Sequence, residues 1–168
     1  MGGSSGSGPK RADLRRLEEV ARKTIREASE TGRRNVFISF VMEDQDEVNL
    51  LRGQARNENS NLEFNDWSLT APFDSSRADY IKQGIRERIS QSSVTLVYLS
   101  RNTAKSKWVD WEIRESVRLG KGVVAVYKGD DPPKVLPRAI AENAGKVKLT
   151  SWKQERIADA IETVASGK

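Results

Sequence analysis

The sequence predicts a three-layer α/β sandwich on a sheet of five parallel strands in the order 2-1-3-4-5. Two observations carry this expectation. Short apolar runs, among them VFISF at 36–40, VTLVYL at 94–99 and VVAVY at 123–127, are nearly continuous rather than alternating, as strands covered on both faces require. Between them lie segments with apolar residues at three- and four-residue steps, the spacing of helices that cover such a sheet. With 168 residues the chain can fill one domain with a full core and is too short for two ordinary ones.

The elements follow in order. Residues 1–9 begin MGGSSGSG, a Gly/Ser run that buries nothing and is taken as a tag or flexible linker. Residues 10–32 carry Leu14, Leu17, Val20, Ala21, Ile25 and Ala28 at helical spacing among many charges, with Thr31-Gly32 as a stop. An amphipathic helix of this kind packs on the surface of its own domain or pairs with a partner. The main domain is 33–168. Its first strand is Val36 to Phe40, followed by a helix over Asp46 to Arg56 with Val48, Leu51 and Ala55 on one face. Leu62 to Asn65 is the second strand. Asp74 or Ser75 can cap a helix through Gln91 that turns Tyr80, Ile81, Ile85 and Ile89 inward. Val94 to Leu99 is the third strand, Ser106 caps a helix to Leu119 that stops at Gly120, Val123 to Tyr127 is the fourth strand and Lys146 to Leu149 the fifth. Ser151 starts a last helix with Ile157, Ala160, Ile161 and Val164 as its apolar stripe. The arrangement is flavodoxin-like.

Composition narrows the chemistry. The chain has no Cys and no His, which removes disulfides, thiolate and imidazole metal sites and every nucleophile–histidine pair. Carboxylates, hydroxyls, Lys, Arg and backbone remain. The formal charge is +5, but residues 1–34 hold nine Lys/Arg and five Asp/Glu, a net of +4, and the rest of the chain is close to neutral. The main domain therefore shows a solvated surface of mixed sign, and no specific nucleic-acid partner is expected. No stretch approaches the roughly 20 apolar residues that span a bilayer, so no membrane partner is expected and the expected compartment is the cytoplasm.

In open parallel sheets ligands bind outside the carboxyl ends of the strands. Three segments lie there. VFISFVMED at 36–44 ends in the acidic pair Glu43 and Asp44, which suits either magnesium ligation in a phosphate-accepting receiver or the acidic first turn of the next helix. A receiver needs an Asp at the end of the third strand, where this chain reads Leu99-Ser100, so the helix start is preferred. FNDWSLTAPFD at 64–74 is a polar loop whose Trp67 and Phe73 serve as local anchors or as ligand contacts. SRNTAKSKWVDWEIRE at 100–115 puts Trp108 and Glu112 one helical turn apart, on the same side of a helix that begins at the ligand edge. A Trp beside a Glu at a helix start is more often a core anchor with an exposed acid; its position at this edge favours a site.

VFISF, the loop after LEFND, the SSVTLVYLS strand and the Ser-x-Trp-x-x-x-Glu pattern at Ser106, Trp108 and Glu112 together resemble a TIR domain. EFNDWSLTAPFDS and KSKWVDWEIRES are similar to the TIR-like family that includes the antiphage Thoeris proteins. The resemblance covers about Arg34 to Val164 and leaves the N-terminal helix outside. It implies cleavage of the nicotinamide–ribose bond of NAD, to ADP-ribose or a cyclic isomer, with NAD as substrate and neither cofactor nor metal. It places the catalytic carboxylate on Glu112 and its neighbouring aromatic positions on Trp108 and Trp111; Phe40 and Asp66, at the ends of the first two strands, are expected to line the same cleft, with Ser39 and Ser106 as further substrate contacts. It further implies TIR–TIR self-association and a downstream effector reached through the nucleotide product. A non-catalytic TIR module that only assembles with other TIR domains or a receptor is the alternative. The residues themselves are compatible with the enzyme, because nicotinamide leaves NAD as a neutral group and needs no general acid, while one carboxylate can steady the oxocarbenium-like charge.

Overall fold

The computed structural model describes residues 15–19, 34–57, 65–66 and 78–167. Five strands, β1 (Asn35–Ser39), β2 (Asn65–Asp66), β3 (Val94–Leu99), β4 (Gly122–Tyr127) and β5 (Val147–Ser151), form a parallel sheet in the order β2-β1-β3-β4-β5. Residues 15–19 are helical (α1). The further helices are α2 (Gln45–Arg56), α3 (Ala78–Gln91), α4 (Lys107–Arg118), α5 (Arg138–Glu142) and α6 (Gln154–Ala165). Strand β2 has two residues, pairing Asn35 with Asn65 and Val36 with Asp66. The expected strand residues Leu62 to Phe64, the Trp67 and Phe73 loop and most of the expected N-terminal helix lie outside the described residues. Within α1, the Leu17 carbonyl accepts a hydrogen bond from Arg88 Nη2 of α3 at 3.3 Å.

Strands β1, β3 and β4 are buried on both faces because their residues alternate between two apolar layers. Val36, Ile38, Leu96, Tyr98, Val124 and Val126 meet Val48 and Leu51 of α2 and Ile157 and Ile161 of α6. On the other face Phe37 meets Ile81, Ile85 and Ile89 of α3, and Val97, Leu99, Val123 and Ala125 meet Val109 and Ile113 of α4 and Ile140 of α5. Each fully buried Leu, Ile or Phe contributes about 1.5–3 kcal/mol, so the two layers fix the sheet between the helices. Helix α6 also crosses close to the start of β4, where a Cβ on Gly122 would stand 2.6 Å from Val164 Cβ.

The structure departs from the sequence expectation at the end of β5 and after Pro137. Ser151 does not start the last helix: it ends β5, paired with Tyr127, and α6 begins at Gln154. The strand keeps Thr150 and Ser151 because both are buried beside β4. The short helix α5 was not anticipated; five residues after Pro137 show no helical period. Its Ala139 N–H is satisfied from another element, donating to Asp110 Oδ1 of α4 at 2.8 Å. Among the described residues no helix is long and apolar enough to cross a membrane.

Candidate active site

Helix α4 is held at both ends. Ser106 is its N-cap, and its Oγ accepts from the Val109 N–H at 3.1 Å. At the other end Gly120 takes φ +73°, a backbone conformation that favours glycine. Its N–H donates to Val117 O at 3.0 Å and the Lys121 N–H to Ser116 O at 2.9 Å, which closes the helix in a Schellman motif. Between these ends Ser116 Oγ lies 2.7 Å from Thr95 Oγ1 of β3 and 2.7 Å from the Glu112 carbonyl oxygen. The rotation of the helix over the sheet is thereby fixed, and with it the direction of Glu112.

Glu112 is directed inward, only 9 % exposed. Its Oε1 accepts a hydrogen bond of 2.7 Å from Ser39 Oγ, the last residue of β1. Ser39 is the sole hydrogen-bond partner of this carboxyl among the described residues. Burial raises the Glu112 carboxyl from its ordinary 4.5 to about 8, and the Ser39 bond offsets only part of the rise. At pH 7 the carboxyl is therefore mainly protonated, and Oε2 has no hydrogen-bond partner among the described residues.

One turn before Glu112, Trp108 meets Trp111 edge to face, with ring centroids 6.0 Å apart. Both indoles are half-buried against the apolar cluster of Phe37, Ile81, Ile85 and Ile89. Lys82 Nζ stands 5.9 Å from the Trp108 ring and 5.2 Å from the Trp111 ring, and the Arg86 guanidinium 5.6 Å from Trp111. The pair thus wedges α3 against α4 and presents ring faces to cations. Arg86 also reaches Glu115 Oε2 at 3.3 Å, where Arg118 is nearer at 2.7 Å. The Arg118 hydrogen bond, more than Arg86, holds the Glu115 carboxyl below its usual range.

The structure brings together Glu112 and Ser39, with Trp108 and Trp111 on the same helix. Phe40 goes elsewhere. It alternates with Ser39 and turns to the opposite face, 3 % exposed in the layer of α2 and α6, under the Arg52 guanidinium at 5.2 Å. The Ser106 hydroxyl is engaged in capping α4. Asp66 is placed by its backbone at the β2 edge.

A second buried acid is Asp44, for which the sequence favours a helix start over magnesium ligation. Asp44 ends the 3₁₀ turn Met42–Asp44 before α2, makes no side-chain cap, and is 5 % exposed. Its Oδ2 accepts from Ser100 Oγ at 2.5 Å, and Ser100 is held by Thr103 Oγ1, which accepts from the Ser100 N–H at 2.8 Å. The loops after β1 and β3 are tied together there. The sequence signal was present in the serine that replaces a receiver's aspartate after β3, but nothing in the spacing joins it to Asp44.

The family model of the Thoeris protein ThsB, TIR-like domain, matches residues 37–132, more than half of the chain, and the chain belongs to that family. No curated protein matches. Among solved structures, the chain is similar to the CMP N-glycosidase BcmB of Clostridium botulinum, with a TM-score of 0.48 and 12% identity over 76% of this chain and 98% of that one. It is also similar to the TIR domains of the activated Roq1 resistosome that recognises the pathogen effector XopQ, with a TM-score of 0.45 and 19% identity over 80% of this chain and 85% of that one.

Proposed function

We propose that this TIR-like domain cleaves the nicotinamide–ribose bond of NAD, with Glu112 as the catalytic carboxylate, and serves antiphage defence through its nucleotide product. The observation that carries the reading is the Glu112 carboxyl itself: buried, held by one hydroxyl at the end of β1, and with one oxygen unengaged among the described residues. A buried carboxyl without a cationic partner is poorly placed to stabilise the fold and well placed to meet a cation brought by a ligand.

In the reaction the C–N bond between ribose and nicotinamide breaks, and its electron pair stays on the ring nitrogen, so nicotinamide departs neutral. The positive charge that develops on the ribose is what an ionised Glu112 would stabilise. A cationic substrate beside Glu112 lowers the carboxyl's pKa and favours that ionised form. Water adds to the ribose carbon and releases a proton to give ADP-ribose; attack by an adenine nitrogen or a ribose hydroxyl of the same molecule gives a cyclic isomer. Trp108 and Trp111 offer ring faces to a cationic or aromatic group, worth about 0.5–2 kcal/mol. TIR–TIR self-association would complete the site.

The test is incubation of the concentrated 168-residue chain with NAD, followed by chromatography. Nicotinamide together with ADP-ribose or an isomer of it is the expected outcome, falling roughly a hundred- to thousandfold with Glu112→Gln. If wild-type protein leaves NAD intact while Glu112→Gln disrupts only complex formation, the domain is an assembly module and not this enzyme.

A further inference from the structure

We propose that Ser39 is a positioning residue: its hydroxyl aims the Glu112 carboxyl and promotes its ionised form, so that Oε1 is held by the protein and Oε2 is left for the substrate. The inference rests on the reading of Glu112 as the catalytic carboxylate, and it removes Ser39 from the substrate contacts.

The geometry makes Ser39 suited to this and leaves it no rival among the described residues. The hydroxyl is 1 % exposed and donates to Oε1 at 2.7 Å, so it spends its one proton on Glu112. Its backbone is fixed by pairing with Val97 in the middle of the sheet, which gives the donor a rigid mount at the strand's carboxyl end. No other described side chain bonds the carboxyl.

Among the described residues, the following titratable groups on the elements around Glu112 are engaged away from its carboxyl. Strand β1 carries none, and Tyr98, the one titratable residue of β3, lies on the opposite face against Trp152. Lys82 and Arg86 of α3 lie over the indoles. On α4, Asp110 pairs with Arg114 and Glu115 with Arg118. Asp44, before α2, is bound to Ser100. A hydroxyl that donates to a carboxylate favours the charged form, and in a dry site a hydrogen bond to a charged group is strong. Ser39 is thus the described side chain that brings a neutral buried acid toward the ionised state the reaction needs.

Two variants separate the donor from the volume it fills. Ser39→Ala removes the hydroxyl, and Ser39→Cys keeps a side chain of similar shape with a weak donor. Carbon-13 NMR of the full chain, labelled at the glutamate carboxyls and assigned by the signal lost in Glu112→Gln, reads the Glu112 titration directly. In both variants the midpoint is expected to move upward by about one pH unit. NAD turnover below pH 8 is expected to fall about tenfold in both and to recover at higher pH. An unchanged midpoint overturns the inference. So does a turnover loss in Ser39→Ala that is equal at every pH and absent in Ser39→Cys, since that marks a cavity and not a lost donor. Wild-type protein that leaves NAD uncut sinks the enzyme reading separately, and the NMR titration still decides whether Ser39 governs Glu112.

Discussion

Glu112→Gln should stabilise this domain at neutral and alkaline pH while leaving it no more stable in acid. The carboxyl titrates near 4.5 when free and at about 8 in the folded chain, because burial penalises its charged form. Below pH 4.5 both folded and unfolded states hold the proton and the group contributes nothing to the balance. As pH rises toward 8 the unfolded chain releases the proton while the folded chain keeps it, so stability is lost progressively across that window and levels off above it. At pH 7 the penalty is about 3 kcal/mol, at 1.36 kcal/mol per pH unit. Gln has the same size, can accept from Ser39 through its carbonyl, and carries no proton to lose. The difference in melting temperature between Glu112→Gln and wild type should therefore grow from near zero at pH 4.5 to roughly 10 °C at pH 7, using about 2–4 °C per kcal/mol for a domain of this size. Thermal unfolding followed by circular dichroism from pH 4.5 to 9 measures it. Other carboxyls titrate alike in both proteins and cancel in the difference. A difference that stays flat with pH, or a variant less stable than wild type at pH 8, would refute the claim that Glu112 is held neutral by burial.

Trp108→Ala should damage fold and turnover together, because the indole wedges α3 against α4; a loss of about 3 kcal/mol is expected by chemical denaturation. A variant with an unchanged denaturation midpoint and no turnover would instead make Trp108 purely a ligand contact. Gly122→Ala forces a methyl to 2.6 Å from Val164 Cβ and should cost about 1–3 kcal/mol, read as a lowered melting temperature; unchanged melting would mean that α6 moves aside freely.

What the sequence discloses depends on how local the cause is. The strands VTLVYL and VVAVY are legible because burial on both faces demands unbroken apolar runs, and Ser106 and Gly120 bound α4 as cap and stop because their reasons lie within a few residues. Glu112 is legible as a candidate from its place one turn after Trp108. Its buried hydrogen bond is not, since the partner, Ser39, stands 73 positions away in the chain. The same separation hides the Asp44–Ser100 bond, which spans 56 positions. Phe40 misleads for a geometric reason: at the end of a strand one step in sequence exchanges the two faces of the sheet, so its neighbour Ser39 enters the site and Phe40 enters the core. Helix α5 is missed because its N-terminal N–H is satisfied by Asp110 on another helix rather than by a residue before it.

Two buried acids stand at the carboxyl edge of this sheet, each bonded to a serine at or just beyond a strand end, and their surroundings assign them different work. Asp44 receives Ser100 at 2.5 Å and is further eased by Asn102, while the neighbouring Glu47 and Glu43 oppose its ionisation after burial has already raised its pKa. Ser100 is itself locked, since its Oγ accepts from the Asn102 N–H at 3.0 Å and its own N–H donates to Thr103 Oγ1, whose hydroxyl donates to Tyr98 O at 3.2 Å. Every member of that cluster has a partner within the protein, and its effect is to clamp the β1 and β3 loops together. Among the described residues Glu112 has one such bond and no cationic partner. An acid whose bonds are met by its own chain gains little from a ligand, whereas one left half-engaged in a dry site gains a full charge-assisted contact when a cation arrives. On the proposed reading the chemistry falls to Glu112, while Asp44 ties together the loops after β1 and β3.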